Sequence, residues 1–570
     1  MGAFIIVLCL AVTWLYYRLL PKPIDGIPYK SKSKNKFLGD IADAIKHRKQ
    51  TGEIWSFMRA RSIELNSPIF QMFMTGPGRK PWVILTDFRE SHDIQTHRQG
   101  EFDRSSFLGE VFGPLIPGNH VWMPSDNRFY ANRSLIRDTM SPAFLHETVA
   151  PILHSKTKDL LDLWTAKASL AHGRPFQVDQ DIIRSVVDMI LLASLGTHTD
   201  LTKSQLETVH NIGQVEPQVD IDTPMIFPKT KESETYSAVR ELVDSIAIGM
   251  SSPIPRHHMT FALRFYPSLW RAGKITSALM SDVLRKAWEK YDNTTHDDRG
   301  SIVGRSCAAD LIVQREAYLA EKQNRAVIRY RPEIRDELLG FYIAAHETTA
   351  STICWAVKHL TKHQKVQNKL RAALKSAFRT AYDQQRLPTP EEIVKSNIPY
   401  LDAFIEENHR LGNAIPATIR RTTQDAVILG HKVPKGTDVF MISNGPGYQH
   451  PALEVDEQKR SVTSQQTKDR YGVWDRERVS EFRPERFLTM ESKETIIFNA
   501  YAGPVLAYGA GLRSCFGIKL AVLELKIIIT MIVWTFELQE TPCQLSSFKA
   551  HDKNTHRPNQ TFLRLRKVQY

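Results

Sequence analysis

The stretch that most constrains this chain runs from Tyr508 to Gly517 and reads Tyr-Gly-Ala-Gly-Leu-Arg-Ser-Cys-Phe-Gly. Its glycines permit tight turns and a close approach to a flat ligand, where a Cβ would stand in the way. Cys515 closes the turn, and an apolar helical pattern from Ile518 to Phe536 follows at once. A sulfur at a helix N-terminus feels the positive end of the helix dipole, which favours thiolate over thiol. Arg513 adds a fixed cation able to pair with a carboxylate on the ligand. A cysteine before an apolar helix is ordinarily a small buried hydrophobe. Presented on a glycine turn beside an arginine, it is equipped to be the axial ligand of a haem iron.

The frame Gly509-x-Gly511-x-Arg513-x-Cys515-x-Gly517 resembles the haem-binding loop of the cytochrome P-450 family, Phe-x-x-Gly-x-Arg-x-Cys-x-Gly. Tyr508 stands where the family has Phe, so an aromatic ring is kept. The resemblance implies a mainly α fold with a small β region, forming one large catalytic domain over residues 50–570. It also implies haem b bound through Cys515, with Tyr508, Gly509, Gly511, Arg513 and Gly517 around it. A length of 570 residues alone favours several domains. No Gly/Ser or Pro-rich linker and no internal repeat divides the chain after its first fifty residues, however.

A second element agrees with the first. Pro332 followed by Glu333, Asp336 and Glu337 opens a helix well, with acids on its positive end. The apolar pattern then continues to about Leu360, roughly 45 Å of helix. At its middle stands Ala344-Ala345-His346-Glu347-Thr348-Thr349. Polar groups at the centre of an apolar helix are costly unless partnered or put to use. The segment is similar to the family's oxygen-activation element, Ala/Gly-Gly-x-Asp/Glu-Thr-Thr. The resemblance makes Thr348 the alcohol of that element and Glu347 its proton-relaying acid. Ala345 takes the usual glycine position, which implies a tighter helix there.

Pro124 and Asp126 signal a helix start, and the family's Trp-x-x-x-Arg element maps onto Phe129 to Arg133. Arg133 is then expected at a haem propionate, without the indole N–H that Phe129 lacks. Arg420, five residues before Asp425, matches a second propionate position, with Arg421 next in line. Glu407 and Arg410 share a helix face and precede Pro484-Glu485-Arg486-Phe487. With Arg486 they are expected to form a buried charge triad serving folding and haem retention. Strand-like runs occur at 69–74 and 82–86. The Lys-, Gln- and Ser-rich piece from Glu454 to Arg470 reads as a solvated insertion.

Five cysteines include no Cys-x-x-Cys pair, which argues against a zinc site or a disulfide framework and fits a reducing compartment. A net charge of +13 comes without a basic stripe interleaved with aromatics. Nucleic acid is therefore not an expected partner, and a membrane surface or acidic protein is. Residues 1–20 are nearly unbroken apolar and reach the roughly 20 residues of a membrane span if Arg18 snorkels. Trp14, Tyr16 and Tyr17 look like an interfacial belt, and Lys22, Lys30, Lys32, Lys34 and Lys36 follow on one side. The expectation is a single-pass anchor, a proline-rich basic hinge over 21–49, and a catalytic domain facing the cytosol, in the endoplasmic reticulum membrane by family resemblance. The implied reaction inserts one oxygen atom from O2 into an apolar small molecule, with secondary-metabolite biosynthesis as the expected setting. Electrons would come from NADPH through a separate reductase, since no flavin or nicotinamide motif is present. The alternatives are a haem-thiolate isomerase, dehydratase or peroxygenase, and a non-catalytic haem protein.

Overall fold

The computed structural model describes residues 2–76, 78–213, 220–294, 305–492 and 495–568. It opens with α1 (Gly2–Leu19), whose Phe4, Val7, Leu10 and Trp14 are more than half exposed. Eighteen residues make a helix of about 27 Å, against a hydrocarbon core of about 30 Å. Among the described residues no helix is long and apolar enough to cross a membrane. Residues 21–49, expected as a hinge, are packed down. Ile27 is buried, Gln71 bonds the backbone of Ile24 and Ile27, and Asp40 accepts from the Phe73 N–H at 2.9 Å. The same segment contains most of α2 (Ile41–Thr51), which ends on Gly52 at φ +86°.

The expected strands form as β1 (Ile69–Met72) and β2 (Trp82–Leu85), paired antiparallel. After α3 (Phe88–Thr96), N-capped by the Asp87 side chain, comes β3 (Phe102–Arg104). Then α4 (Asn127–Ile136) starts on Asp126, whose carboxylate accepts from the Arg128 and Phe129 N–H groups. The sheet is completed by two distant strands, β4 (Ala417–Thr422) and β5 (Asp438–Ile442). Its order is β1-β2-β5-β4-β3, with β2 and β5 parallel. The β3/β4 register sets Arg104 opposite Arg420.

Three helices build the centre. α5 (Pro332–Lys362) has Pro332 in its first turn and runs 31 residues. It continues as α-helix through residues 344–349, with Ala345 in line. Next, α6 (Pro399–Gly412) carries the Glu407 face, and α7 (Ile518–Thr535) follows the cysteine turn. Ile527, Ile528, Ile529 and Met531 of α7 are almost wholly buried, and each such side chain contributes roughly 1.5–3 kcal/mol. The apolar run after Cys515 is thus core.

The stretch expected as a solvated insertion is fastened to α3. Arg460, 9 % exposed, forms a two-pronged bridge to Asp87 at 2.6 and 2.8 Å. Glu457 pairs with Arg89, and Ser461 donates to Asp93.

Candidate active site

The cysteine turn is shaped by two left-handed residues, Gly509 at φ +63° and Gly511 at φ +68°. A Cβ on Gly511 would lie 2.0 Å from the Gln95 carbonyl oxygen of α3, so glycine there is demanded by protein backbone, not by the ligand. Gly517 differs, since a Cβ there meets nothing within 4 Å. The Ala510 N–H donates to the Gln95 side chain and the Cys515 N–H to the Tyr508 carbonyl, each at 2.9 Å. Cys515 is left facing a cavity of about 920 Å³. Burial pushes its thiol up from the ordinary value, while the Gly517 N–H and the Arg133 charge pull it down. The helix N-terminus therefore helps the thiolate without prevailing alone.

Above one edge of that cavity the chain gathers cations. Arg513 donates to Ser125 Oγ and the Met123 carbonyl and lies 3.6 Å from Asp103. Its guanidinium stacks 3.5 Å over the Phe129 ring, which replaces an indole N–H with a π face. Arg133 stacks over Phe516, the residue after Cys515, at 4.6 Å. Arg420 is 3 % exposed, and its Nη2 has no partner among the described residues. Arg421 instead bridges Asp438 at 2.7 Å, which removes it from consideration. Sequence reasoning missed Arg104, whose signal is visible only in the β3/β4 register. Its Nε is buried and has no partner among the described residues, and burial beside Arg420 and Arg513 drives its pKa well below the ordinary arginine value. Burial, with Arg513 behind it, lowers Arg420 to about 10.

Three guanidiniums thus share one carboxylate, Asp103, at a cavity wall. Unspent buried donors of one sign call for an anionic ligand. A haem with its two propionates fits this edge, and Cys515 fits its iron.

On α5, Thr348 lines the cavity and donates its hydroxyl to the Ala344 carbonyl at 2.7 Å. Its lone pairs stay free to accept. Glu347 also lines the cavity, with Arg557 3.7 Å away. Thr349 donates to Glu524 Oε2 of α7 at 2.8 Å, tying the two helices together. Glu524 is a buried acid inside the otherwise apolar α7. Burial raises it to about 8, and its Oε1 has no partner among the described residues.

Beneath the cysteine turn the structure brings Glu407, Arg410 and Arg486 together. Arg410 grips Glu407 with two bonds, at 2.7 and 2.8 Å, and Arg486 Nε reaches the same carboxylate at 3.1 Å. Arg410 also donates to the carbonyls of Tyr448 and Val479, anchoring the loop before Arg486. The Tyr508 hydroxyl, absent from a phenylalanine, pairs with His409 Nε2 at 2.9 Å.

A cysteine turn, a cation-rimmed cavity above it and a long helix bearing acid and alcohol across it define a haem-thiolate protein. The chain belongs to the cytochrome P450 family, whose pattern matches residues 44–449 and 472–562. The gap in that match coincides with the clamped insertion. Cytochrome P450 monooxygenase GME11363 of Pestalotiopsis microspora is 44% identical over 565 residues, covering 99% of this chain and 98% of the relative. Cytochrome P450 monooxygenase TRI13 of Fusarium sporotrichioides is 34% identical, covering 98% of each chain. The crystal structure of the cytochrome P450 CYP102L1 superposes with a TM-score of 0.66 at 17% identity, covering 96% of this chain and 99% of that one. The chain is a monooxygenase with a haem-thiolate cofactor, and such an enzyme requires O2, a substrate and a redox partner.

Proposed function

We propose that this protein is a membrane-anchored monooxygenase that takes electrons from NADPH through a separate reductase and oxidises an apolar small molecule of secondary metabolism. The observation that carries the reading is the set of unspent cations at one edge of a cavity whose floor is Cys515. When bound, the haem supplies oxygen activation, which electron donation from an axial thiolate promotes.

The chain's own residues have separable tasks. Cys515 is the iron ligand, and Arg104, Arg133, Arg420 and Arg513 hold the propionates. Trp82, Phe107, Ile246 and Phe341 line the rest of the cavity with apolar surface, which favours an apolar substrate and excludes water. Thr348 offers a hydrogen-bond acceptor at the cavity wall, and Glu347 places a carboxylate one residue away for proton relay. A gene-cluster setting is also supported by a relative from Dothistroma septosporum, 37% identical over 287 residues, whose name places it in the Hps1-dma1 cluster.

The anchor reading rests on the exposed apolar surface of α1 and the lysines after it. An aromatic patch of Phe261, Phe265, Tyr266 and Trp270, each at least 40 % exposed, offers a second apolar contact. The location proposed is the endoplasmic reticulum membrane with the catalytic body in the cytosol. The test of the central assignment is the spectrum of the reduced protein under carbon monoxide. A red-shifted Soret band, lost in Cys515→His, is expected; a histidine-type spectrum in the wild type would refute it.

A further inference from the structure

The loop before α4 is seated on α5 by one carboxylate. Glu337, 2 % exposed, accepts from Asn119 Nδ2 at 3.1 Å and Asn132 Nδ2 at 2.7 Å. It also accepts from the His120 N–H at 2.7 Å and pairs with His120 Nδ1 at 2.8 Å. Glycine lets the loop come this close, because a Cβ on Gly340 would lie 2.1 Å from Asn119 Nδ2. Four bonds on one carboxylate are far more than is needed to tether a loop. Two of them act on the same residue, and they fix both the position and the ring orientation of His120.

A carboxylate on Nδ1 keeps a proton on that nitrogen, fixes the ring and turns Nε2 outward. His120 Nε2 has no partner among the described residues, and His120 lines the cavity. The ring lies 6.0 Å from that of Phe516 and 6.1 Å from that of Phe129. Its backbone carbonyl accepts from Arg513 at 3.5 Å. His120 therefore stands at the cation-rich edge, beside the one position, Phe129, that lacks a polar hydrogen.

We infer that His120, oriented by Glu337, takes up a proton when the cofactor binds and, as a ring protonated on both nitrogens between two acids, donates Nε2–H to a carboxylate of the cofactor, filling the donor position empty at Phe129. Glu337 is the positioning residue. The inference rests on the haem reading above, and its test is separable from the test of that reading.

Two measurements on the holoenzyme decide the point. One is the rate of haem transfer to apomyoglobin, and the other is the propionate-bending band in resonance Raman. A hydrogen bond to a charged group affects an equilibrium by about 10- to 100-fold. His120→Phe should accordingly lose haem at least about 10-fold faster, with a shifted propionate band. His120→Gln keeps a polar contact to Glu337 without a second ring donor, and should shift the band in the same direction while folding normally. If His120→Phe yields no haem protein, His120→Gln alone decides. Faster haem loss with an unmoved band would show that His120 only packs the loop, and would overturn the inference. So would unchanged rate and band. The carbon monoxide spectrum of the same samples reports separately on Cys515.

Discussion

Replacing Glu524 with Gln should change how stability depends on pH, beyond changing its size. Burial raises the Glu524 carboxyl from 4.5 to about 8, opposed only by the Thr349 hydroxyl. Between those two values the folded chain holds a proton that the unfolded chain has released. Stability contributed at this site is therefore complete below about pH 4.5 and is lost as pH rises through about 8. At about 1.4 kcal/mol per pH unit, the window amounts to about 5 kcal/mol. Buried histidines act in the opposite sense. His359 is held at about 3 and His409 at about 4 by burial, so the unfolded chain binds more protons below 6.5 and stability rises up to that pH. The wild-type profile is thus composite, and only the difference from the variant isolates Glu524. Gln keeps an acceptor for Thr349 but buries an amide where Oε1 lacks a partner, a pH-independent cost of about 1–3 kcal/mol. Guanidinium unfolding of the holoprotein, followed by far-UV circular dichroism and the Soret band between about pH 5 and pH 9, measures the difference. The variant should gain on the wild type by several kcal/mol across that range. Parallel profiles would show that Glu524 is not a buried neutral acid.

Other expectations follow from the same geometry. Glu407→Ala leaves Arg410 and Arg486 buried without their counter-charge at a cost of about 3–5 kcal/mol, and should yield little haem-loaded protein. A well-folded, haem-replete variant without turnover would instead make Glu407 a catalytic acid. Thr348→Ala conserves helix propensity and should leave the haem spectrum unchanged, while NADPH consumption continues and hydrogen peroxide rises as product falls. Unchanged product per NADPH would mean that Thr348 only packs. Removal of residues 1–20 should release the protein from membranes during alkaline washing without loss of haem, and retention in the pellet would move the anchor elsewhere.

Local pattern carried much of this protein. The cysteine turn, the Pro332 helix start and the β1 and β2 runs depend on residues close in sequence, so spacing alone placed them. The α7 run shows the boundary of that method. Its composition suits either a lipid-facing or a core helix, and only packing against its neighbours made it core. Arg420 and Arg421 are adjacent and chemically alike, yet strand alternation sends one to Asp438 and leaves the other facing the cavity. Arg104 joins the cation cluster because β3 pairs with a strand more than three hundred residues later. A longer separation, 368 and 373 residues, divides Glu457 and Arg460 from Arg89 of α3 and its cap Asp87, which clamp the polar insertion. His120 and Glu524 carry no motif of their own. His120 gains its partner Glu337 only where its loop meets α5, and the raised pKa of Glu524 follows from desolvation, which depends on surroundings that only the folded chain assembles.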